Sequence, residues 1–384
     1  MKNLTVIFII SLLLMAGCGG NRKSDDLITV DVTANYPQIE LNLQDVMDVE
    51  YIALETTDDF LCQGLVLDVG KEMILVRNLI NDGDIFIFNR KGKAVRKINR
   101  MGQSGEDYVS YGRVMLDEEN NEIFIDDWRK IVVYDLYGKF LRSFPKAEGT
   151  NYSSLQNFDR EHLIGRETTV RIDENSTASQ PFAIISKKDG SMIKDIRIRF
   201  KQGINPTVVM AEMQFAVNVY SNVNSITPFH NSRILTELSS DTIFRLFPDY
   251  RITPFMTRTP PIHSMNPELF LLPEILTDRY YFLEILKKEV EARPGFFPRT
   301  KLVYDKQEKA TYRYTVNNDD YSTKKPLEFT AFSSNNEIAF RQKLEAHELI
   351  ELNRKGELKG KLKEVATELD DDSNPVIMLV KYKK

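Results

Sequence analysis

One hairpin pattern recurs along this chain and limits what it can fold into. Ile85-Phe86-Ile87-Phe88-Asn89-Arg90-Lys91-Gly92-Lys93 leads into Ala94-Val95-Arg96-Lys97-Ile98, and Ile131-Val132-Val133-Tyr134-Asp135-Leu136-Tyr137-Gly138-Lys139 leads into Phe140-Leu141-Arg142-Ser143-Phe144. Each copy is a β-branched and aromatic run, a tight turn ending in glycine, and a second run. This is the sequence form of a β-hairpin whose turn needs a positive φ. Weaker copies turn at Asp189-Gly190, at Pro248-Asp249 and near Glu308. A period of about 50 residues with two hairpins per unit indicates a β-propeller of four-stranded antiparallel blades.

Blade one reads in full: Leu65-Val66-Leu67 innermost, then Met73-Ile74-Leu75-Val76, Ile85 to Asn89, and Lys93 to Ile98 outermost. In blade two, Val114 to Asp117 and Glu122 to Ile125 flank an Asn-rich turn. Five units reach about residue 316. A sixth begins at Leu327-Glu328-Phe329-Thr330-Ala331-Phe332 and continues at Glu337-Ile338-Ala339-Phe340-Arg341. Within it, residues 345–369 read as helix, because Leu358, Leu362, Val365 and Leu369 share one helical face. Pro375-Val376-Ile377-Met378-Leu379-Val380 reads as a strand buried on both faces. The outer strand of that blade is missing from the C-terminus, and residues 49–54 are the natural substitute. Pairing the two ends closes the ring and removes two open edges. Six blades is the expected count; five and seven are the alternatives. Prolines recur through residues 254–299, so that stretch reads as a long loop over one face, with strand only near residues 279–286.

The first residues specify an address. Lys2 precedes a short apolar run that ends at Leu14-Met15-Ala16-Gly17-Cys18. The run falls short of the roughly 20 residues of a bilayer span and has the shape of a secretory signal peptide. Its end resembles the lipobox of bacterial lipoproteins, which implies cleavage after residue 17 and lipidation of Cys18. The expected organisation is a signal peptide over 1–17, a lipidated cysteine and flexible tether over 18–45, and the propeller over 46–384. Ser24-Asp25-Asp26 is similar to the surface-export signal of Bacteroidetes lipoproteins but lies late, so periplasmic and surface-exposed orientations both stay open.

Glu50-Tyr51-Ile52-Ala53-Leu54-Glu55-Thr56, the Gly102-Gln103-Ser104-Gly105-Glu106-Asp107-Tyr108 loop and Asn374-Pro375-Val376 resemble the six-bladed β-propeller lipoproteins of Bacteroidetes, relatives of the NHL-repeat propellers. The resemblance implies fold and an outer-membrane, cell-envelope location. It carries no general activity. The glycine-rich family loop departs here at Ser104 and Asp107, which weakens any ligand role for it.

Few residues form a recognisable chemical motif. Gly102-Gln103-Ser104-Gly105 is not a nucleophile elbow, and it joins strands rather than a strand and a helix. Cys62 reads as a small buried apolar group. The four histidines lack ligand spacing, and Asn81-Asp82-Gly83-Asp84 and Asp370-Asp371-Asp372 lack the spaced oxygens of a calcium loop. No catalytic residue, metal or cofactor is therefore assigned. A formal net charge of −5 gives no general affinity for nucleic acid. Links between blades and loops joining second and third strands fall on one face. The binding surface is expected there, with Arg77, Asn78, Gln103, Glu106, Tyr108, Asp127, Trp128 and Arg129, and with Glu167 and Glu237 adding acidic lining. Trp128 beside Arg129 is the expected anchor for a glycan or an envelope protein partner. The favoured function is a non-enzymatic, lipid-anchored binding module, tied to the membrane through Cys18. The alternative is a hydrolase or lyase acting on a polysaccharide or lactone through acidic or metal-binding residues at the channel mouth.

Overall fold

The computed structural model describes residues 27–383, except 128, 147–150, 168–170, 173–177, 180, 201, 206, 211–214, 220–222, 290–296 and 330–334. The expected signal peptide and Cys18 lie outside the described residues.

Consecutive hairpins build the blades. Blade one pairs Leu65–Val69, Met73–Arg77, Ile85–Asn89 and Ala94–Ile98 in that order, and blade two pairs Arg113–Asp117, Glu122–Asp127, Lys130–Asp135 and Phe140–Pro145. Blade three uses Tyr152–Asn157, His162–Glu167, Pro181–Ser186 and Met192–Arg197. Blade four uses Ile226–Phe229, Ser232–Leu235, Thr242–Leu246 and Ile252–Thr259, and blade five uses Leu269–Leu276, Tyr280–Lys287, Arg299–Asp305 and Ala310–Asn317. In blade six, Ile338–Leu344 pairs with Val376–Tyr382, which pairs in turn with Met47–Ala53 from the other end of the chain. The ring thus closes as the sequence indicates, with the helices Ala346–Arg354 and Gly360–Thr367 inserted in the last blade.

The central strands read as nearly continuous apolar runs because both faces of each blade are buried. Six hydrophobic clusters occupy the six junctions between neighbouring blades. Between blades one and two, Leu75 and Ile87 meet Leu116 and Ile125; between six and one, Ile377 and Leu379 meet Ile74 and Phe88. Successive residues of one strand therefore serve two different junctions.

The turn glycines have two tasks. Gly92, Gly138 and Gly190 have φ of 78°, 78° and 73°, in the left-handed region that glycine enters without a Cβ penalty. Each also packs against the preceding blade. A Cβ on Gly92 would lie 1.9 Å from the Ala53 carbonyl oxygen, and Cβ atoms on Gly138 and Gly190 would meet Ile98 and Phe144. Tyr250 and Lys309 take the same left-handed conformation in the turns of blades four and five. That is why the repeat fades from the sequence while the turn persists.

Three expectations are corrected. The tether does not extend over 18–45: Ile28–Asp31 runs parallel to Ile252–Thr259, and Gln38–Asn42 runs parallel to Ala310–Asn317. These segments cover the outer edges of blades four and five, and Val30 and Val32 are buried between those blades. Residues 254–299 are not mainly loop either. They supply most of the outer strand of blade four and both inner strands of blade five. Pro254 and Pro273 are accommodated because each sits beside a register shift, where the ladder needs no donor. Lastly, Pro326–Leu327 pairs with the outer strand of blade five, not within blade six. The remainder of the expected inner strand of blade six falls largely on 330–334, outside the described residues.

Replacing Gly92 by alanine is expected to destabilise the protein more than replacing Gly356, whose φ is 71° but around which nothing lies within 4 Å. Gly356→Ala should cost about 1 kcal/mol for the left-handed backbone alone. Gly92→Ala should cost at least twice that, read as the shift in urea unfolding midpoints. Equal losses would mean that the turn does not pack against Ala53 as described.

Candidate functional site

The residues expected to bind are placed mostly in structural roles. Tyr108 is fully buried; its hydroxyl donates to the Gly83 carbonyl oxygen at 2.6 Å, and its ring packs edge-on to Tyr111 and Tyr134. Asp127 is also buried and accepts from the Val109 amide at 3.1 Å. Arg77 lies over the Tyr111 ring and donates to the Asn78 carbonyl oxygen, while the Asn78 amide donates to Asp82. Glu106 is exposed and 3.9 Å from Arg100. Gln103 and Arg129 are exposed as well. Trp128 lies outside the described residues. Glu167 and Glu237 are fully buried, and Glu237 pairs with the equally buried Arg166 at 2.8 Å. These side chains chiefly lock the link between blades one and two and the core of blades three and four.

The large cavities open on the opposite face, at the turns joining first to second strands. One, of about 490 Å³, sits where inner-strand ends of blades one, two and three meet Arg233 of blade four and Asn335 and Asn336 of blade six. The other, of about 570 Å³, lies between the blade-five turn Thr277-Asp278-Arg279, the blade-four turn at His230, residues 40–46 and Tyr382. Asn336 borders both.

Polar side chains around the first cavity form a circuit of ties between blades. The Asp68 carboxylate of blade one accepts from the Leu116 amide of blade two at 2.9 Å. Asn157 of blade three donates to the Leu116 carbonyl oxygen at 2.8 Å, and Arg233 of blade four donates to the Asn157 carbonyl oxygen at 2.8 Å. Arg233 also reaches the Asn336 side chain at 3.2 Å, and Asn335 donates to the Val69 carbonyl oxygen, returning to blade one. Glu118 of blade two caps the blade-one turn by accepting from the amides of Lys71, Glu72 and Met73. Asp117 accepts from Lys187 at 2.7 Å. Asp68, Asp117, Lys187 and Arg233 are buried, Glu118, Asn157 and Asn335 are half-buried, and each makes at least one hydrogen bond to a neighbouring blade. Burial raises the Asp68 carboxyl against the opposing pull of Arg341, and burial lowers the Arg233 guanidinium to about 10.

A carboxyl with a markedly shifted pKa lies elsewhere, in blade five. Glu274 is raised to about 7 by burial and by Glu284, against the pull of Lys301, whose ammonium bridges both carboxylates at 2.6 and 2.8 Å. Arg299 completes the set by pairing with Glu284. Neither carboxylate lines either of the two large cavities. Among the described residues, no group of three or more His, Cys, Asp or Glu side chains is placed to hold a metal ion. Cys62 is buried, and burial pushes its thiol up to about 11, which keeps it a poor nucleophile.

With this architecture in place, the class is defined: a six-bladed β-propeller closed by its own N-terminal strand. A family profile described as six-bladed β-propeller matches residues 20–340, and the chain belongs to that family. Among solved structures it is similar to a Bacteroides fragilis protein predicted to be exported, with 17% identity and a TM-score of 0.60, over 93% of this chain and 100% of that one. It is also similar, more distantly, to the virginiamycin B lyase of Staphylococcus aureus, with 10% identity and a TM-score of 0.30, over 66% of this chain and 88% of that one. The first of these likenesses concerns the fold alone. No curated protein matches the sequence.

The raised Glu274 makes stability depend on pH with a definite sign. A carboxyl held above its ordinary 4.5 contributes most below that value, and the contribution is lost as pH rises through about 7. The melting temperature is expected to fall between pH 5.5 and 8, and Glu274→Gln should flatten that fall. A variant with the wild-type pH profile would remove Glu274 as its source.

Proposed function

We propose that the protein is a lipid-anchored cell-envelope propeller that binds its ligand, without transforming it, in the cavity at the channel mouth on the first-to-second-strand turn face. The observation that carries this reading is the use made of the polar groups there. Asp68, Asp117, Glu118 and Asn157 are committed to holding neighbouring blades together. Groups fixed in this way shape a preformed, polar concavity, which suits recognition. They are not poised as a base and nucleophile, which would need a reacting group within reach of an activated partner.

The lipobox-like Leu14-Met15-Ala16-Gly17-Cys18 supports the anchor, and the exported class of the Bacteroides fragilis relative supports the extracytoplasmic address. Acyl chains contribute about 0.8 kcal/mol per buried methylene, enough for stable anchoring when two or more chains sit on one residue. The chain joins blade four at Ile28, so a tether starting at Cys18 spans at most ~35 Å at full extension. The ligand-binding body then stays close to the bilayer. Glycans and envelope peptides are the ligand classes of choice.

Two measurements test this reading. Cys18→Ser should move the protein from the membrane to the soluble fraction of fractionated cells; retention in the membrane would overturn the anchor. A thermal-shift screen of the mature protein against glycans and short peptides should find a ligand that raises its melting temperature. Saturation at about 100 times the dissociation constant adds roughly 2.7 kcal/mol. Turnover of the bound compound, followed by mass spectrometry, would overturn the non-enzymatic reading.

A further inference from the structure

Arg233 is the exception among the charged groups buried at the channel mouth. It is 5% exposed and lines the 490 Å³ cavity, yet no carboxylate stands within ion-pair distance of it among the described residues. Its donors go to neutral acceptors: the Ser232 and Asn157 carbonyl oxygens and the Asn336 side chain. Its Nε meets no acceptor, and neither does the buried Oδ1 of neighbouring Asn157 find a donor. The negative charge it feels most is that of Asp159, whose exposed carboxylate is engaged by His162. By contrast, Lys187 at the same mouth faces Asp117 at 2.7 Å, and Arg341 of blade six approaches Asp68 at 3.9 Å. A buried cation without a counter-charge loses hydration that nothing in the protein replaces, and an arriving anion relieves that cost.

The rim is net negative. Glu72, Glu119 and Glu337 border the cavity, are exposed, and have no ion-pair partner among the described residues; the exposed Lys71 is a cation beside them. With Asp159 they outnumber Lys71 and give a net negative edge around the unpaired Arg233. A polyanion is repelled by that edge and a simple amine finds no reward at the floor. A ligand that carries one carboxylate and one ammonium group satisfies both.

Resting on the binding reading above, we infer that the channel-mouth cavity recognises a small zwitterion, whose carboxylate pairs with Arg233 and whose ammonium group faces the Glu72, Glu119 and Glu337 rim. The planar guanidinium suits a carboxylate because two parallel N–H donors can meet its two oxygens. Such chemistry occurs at peptide ends and in amino-uronic sugars.

Titration calorimetry of the mature protein tests the inference with five probes: glycylglycine, 2-amino-2-deoxyglucuronate, glucuronate, glucosamine and inorganic phosphate. One of the two zwitterions should bind at least tenfold more tightly than glucuronate or glucosamine, and which of them does so identifies a peptide or a sugar source. Phosphate should not bind. Arg233→Gln should weaken the zwitterion at least thirtyfold, and Arg233→Lys, which keeps the charge but loses the fork, about tenfold. Should the first variant not fold, the exposed double variant Glu72→Gln/Glu119→Gln serves instead. It should reduce the zwitterion's advantage over glucuronate to less than threefold. The inference is overturned if neither zwitterion binds, if glucosamine binds as well as its uronate counterpart, or if the variants bind as wild type. A neutral glycan that binds while both zwitterions fail would sink this inference and leave the binding module standing.

Discussion

Everything in this molecule depends on one pairing between distant segments: Met47–Ala53 laid antiparallel on Val376–Tyr382, from Met47 opposite Tyr382 to Ala53 opposite Val376. Each blade buries apolar side chains on both faces, so no blade is satisfied until it has a neighbour on each side. In an open row, blades one and six would each leave a face like that of Ile74 and Phe88, or of Ile377 and Leu379, in water. The closing strand supplies the outer edge of blade six and brings those two faces together. Loop-closure entropy grows only slowly with length, so joining residues more than 300 apart costs little more than joining residues 100 apart. Burial at the last junction outweighs it.

The ties at the channel mouth follow from the same closure. Inner strands converge towards the axis, where carbonyl and amide groups at their ends would lie buried without partners. Side chains from the next blade take those places: Asn157 on Leu116, Arg233 on Asn157, Asn335 on Val69. Glu118 does the same for three amides in one turn. Backbone satisfaction thus selects a polar ring at the axis, and the cavity it encloses is a by-product of geometry that recognition can use.

Much of the fold was legible because turns and two-faced burial leave local marks. The glycines at 92, 138 and 190 announce their hairpins, and the run from Val376 to Val380 announces a strand with no solvent side. Where a non-glycine residue holds the left-handed turn, as Tyr250 and Lys309 do, that mark is lost. The wrapped N-terminal strands could have been read: Ile28, Val30 and Val32 alternate with polar residues, as do Ile39 and Leu41. Their partners are parallel and more than 200 residues away, and no turn signals such a pairing. Prolines at 254 and 273 misled for a related reason, since a bulge that excuses a missing donor is a property of the paired ladder.

The candidate site was far less legible, and the reason is physical. Tyr108 and Asp127 look like ligand-binding groups in sequence, one in a glycine-bearing polar loop and the other beside Trp128 and Arg129. Their hydrogen bonds to Gly83 and Val109 instead spend their polarity inside the protein. Arg233 gives the opposite impression: within Ser232-Arg233-Ile234-Leu235 it reads as one charged residue in an ordinary strand. Only the assembled ring shows that this strand begins at the channel-mouth cavity, that its neighbours there offer carbonyl and amide oxygens, and that every nearby buried aspartate already has a cation or amides of its own. An uncompensated charge is a relation among blades one, two, three, four and six, and so belongs to no stretch of sequence. The same relation gives Arg233 two tasks that reinforce each other. Its hydrogen bonds to Asn157 and Asn336 hold the guanidinium still, and a donor already immobilised loses little entropy when a ligand arrives.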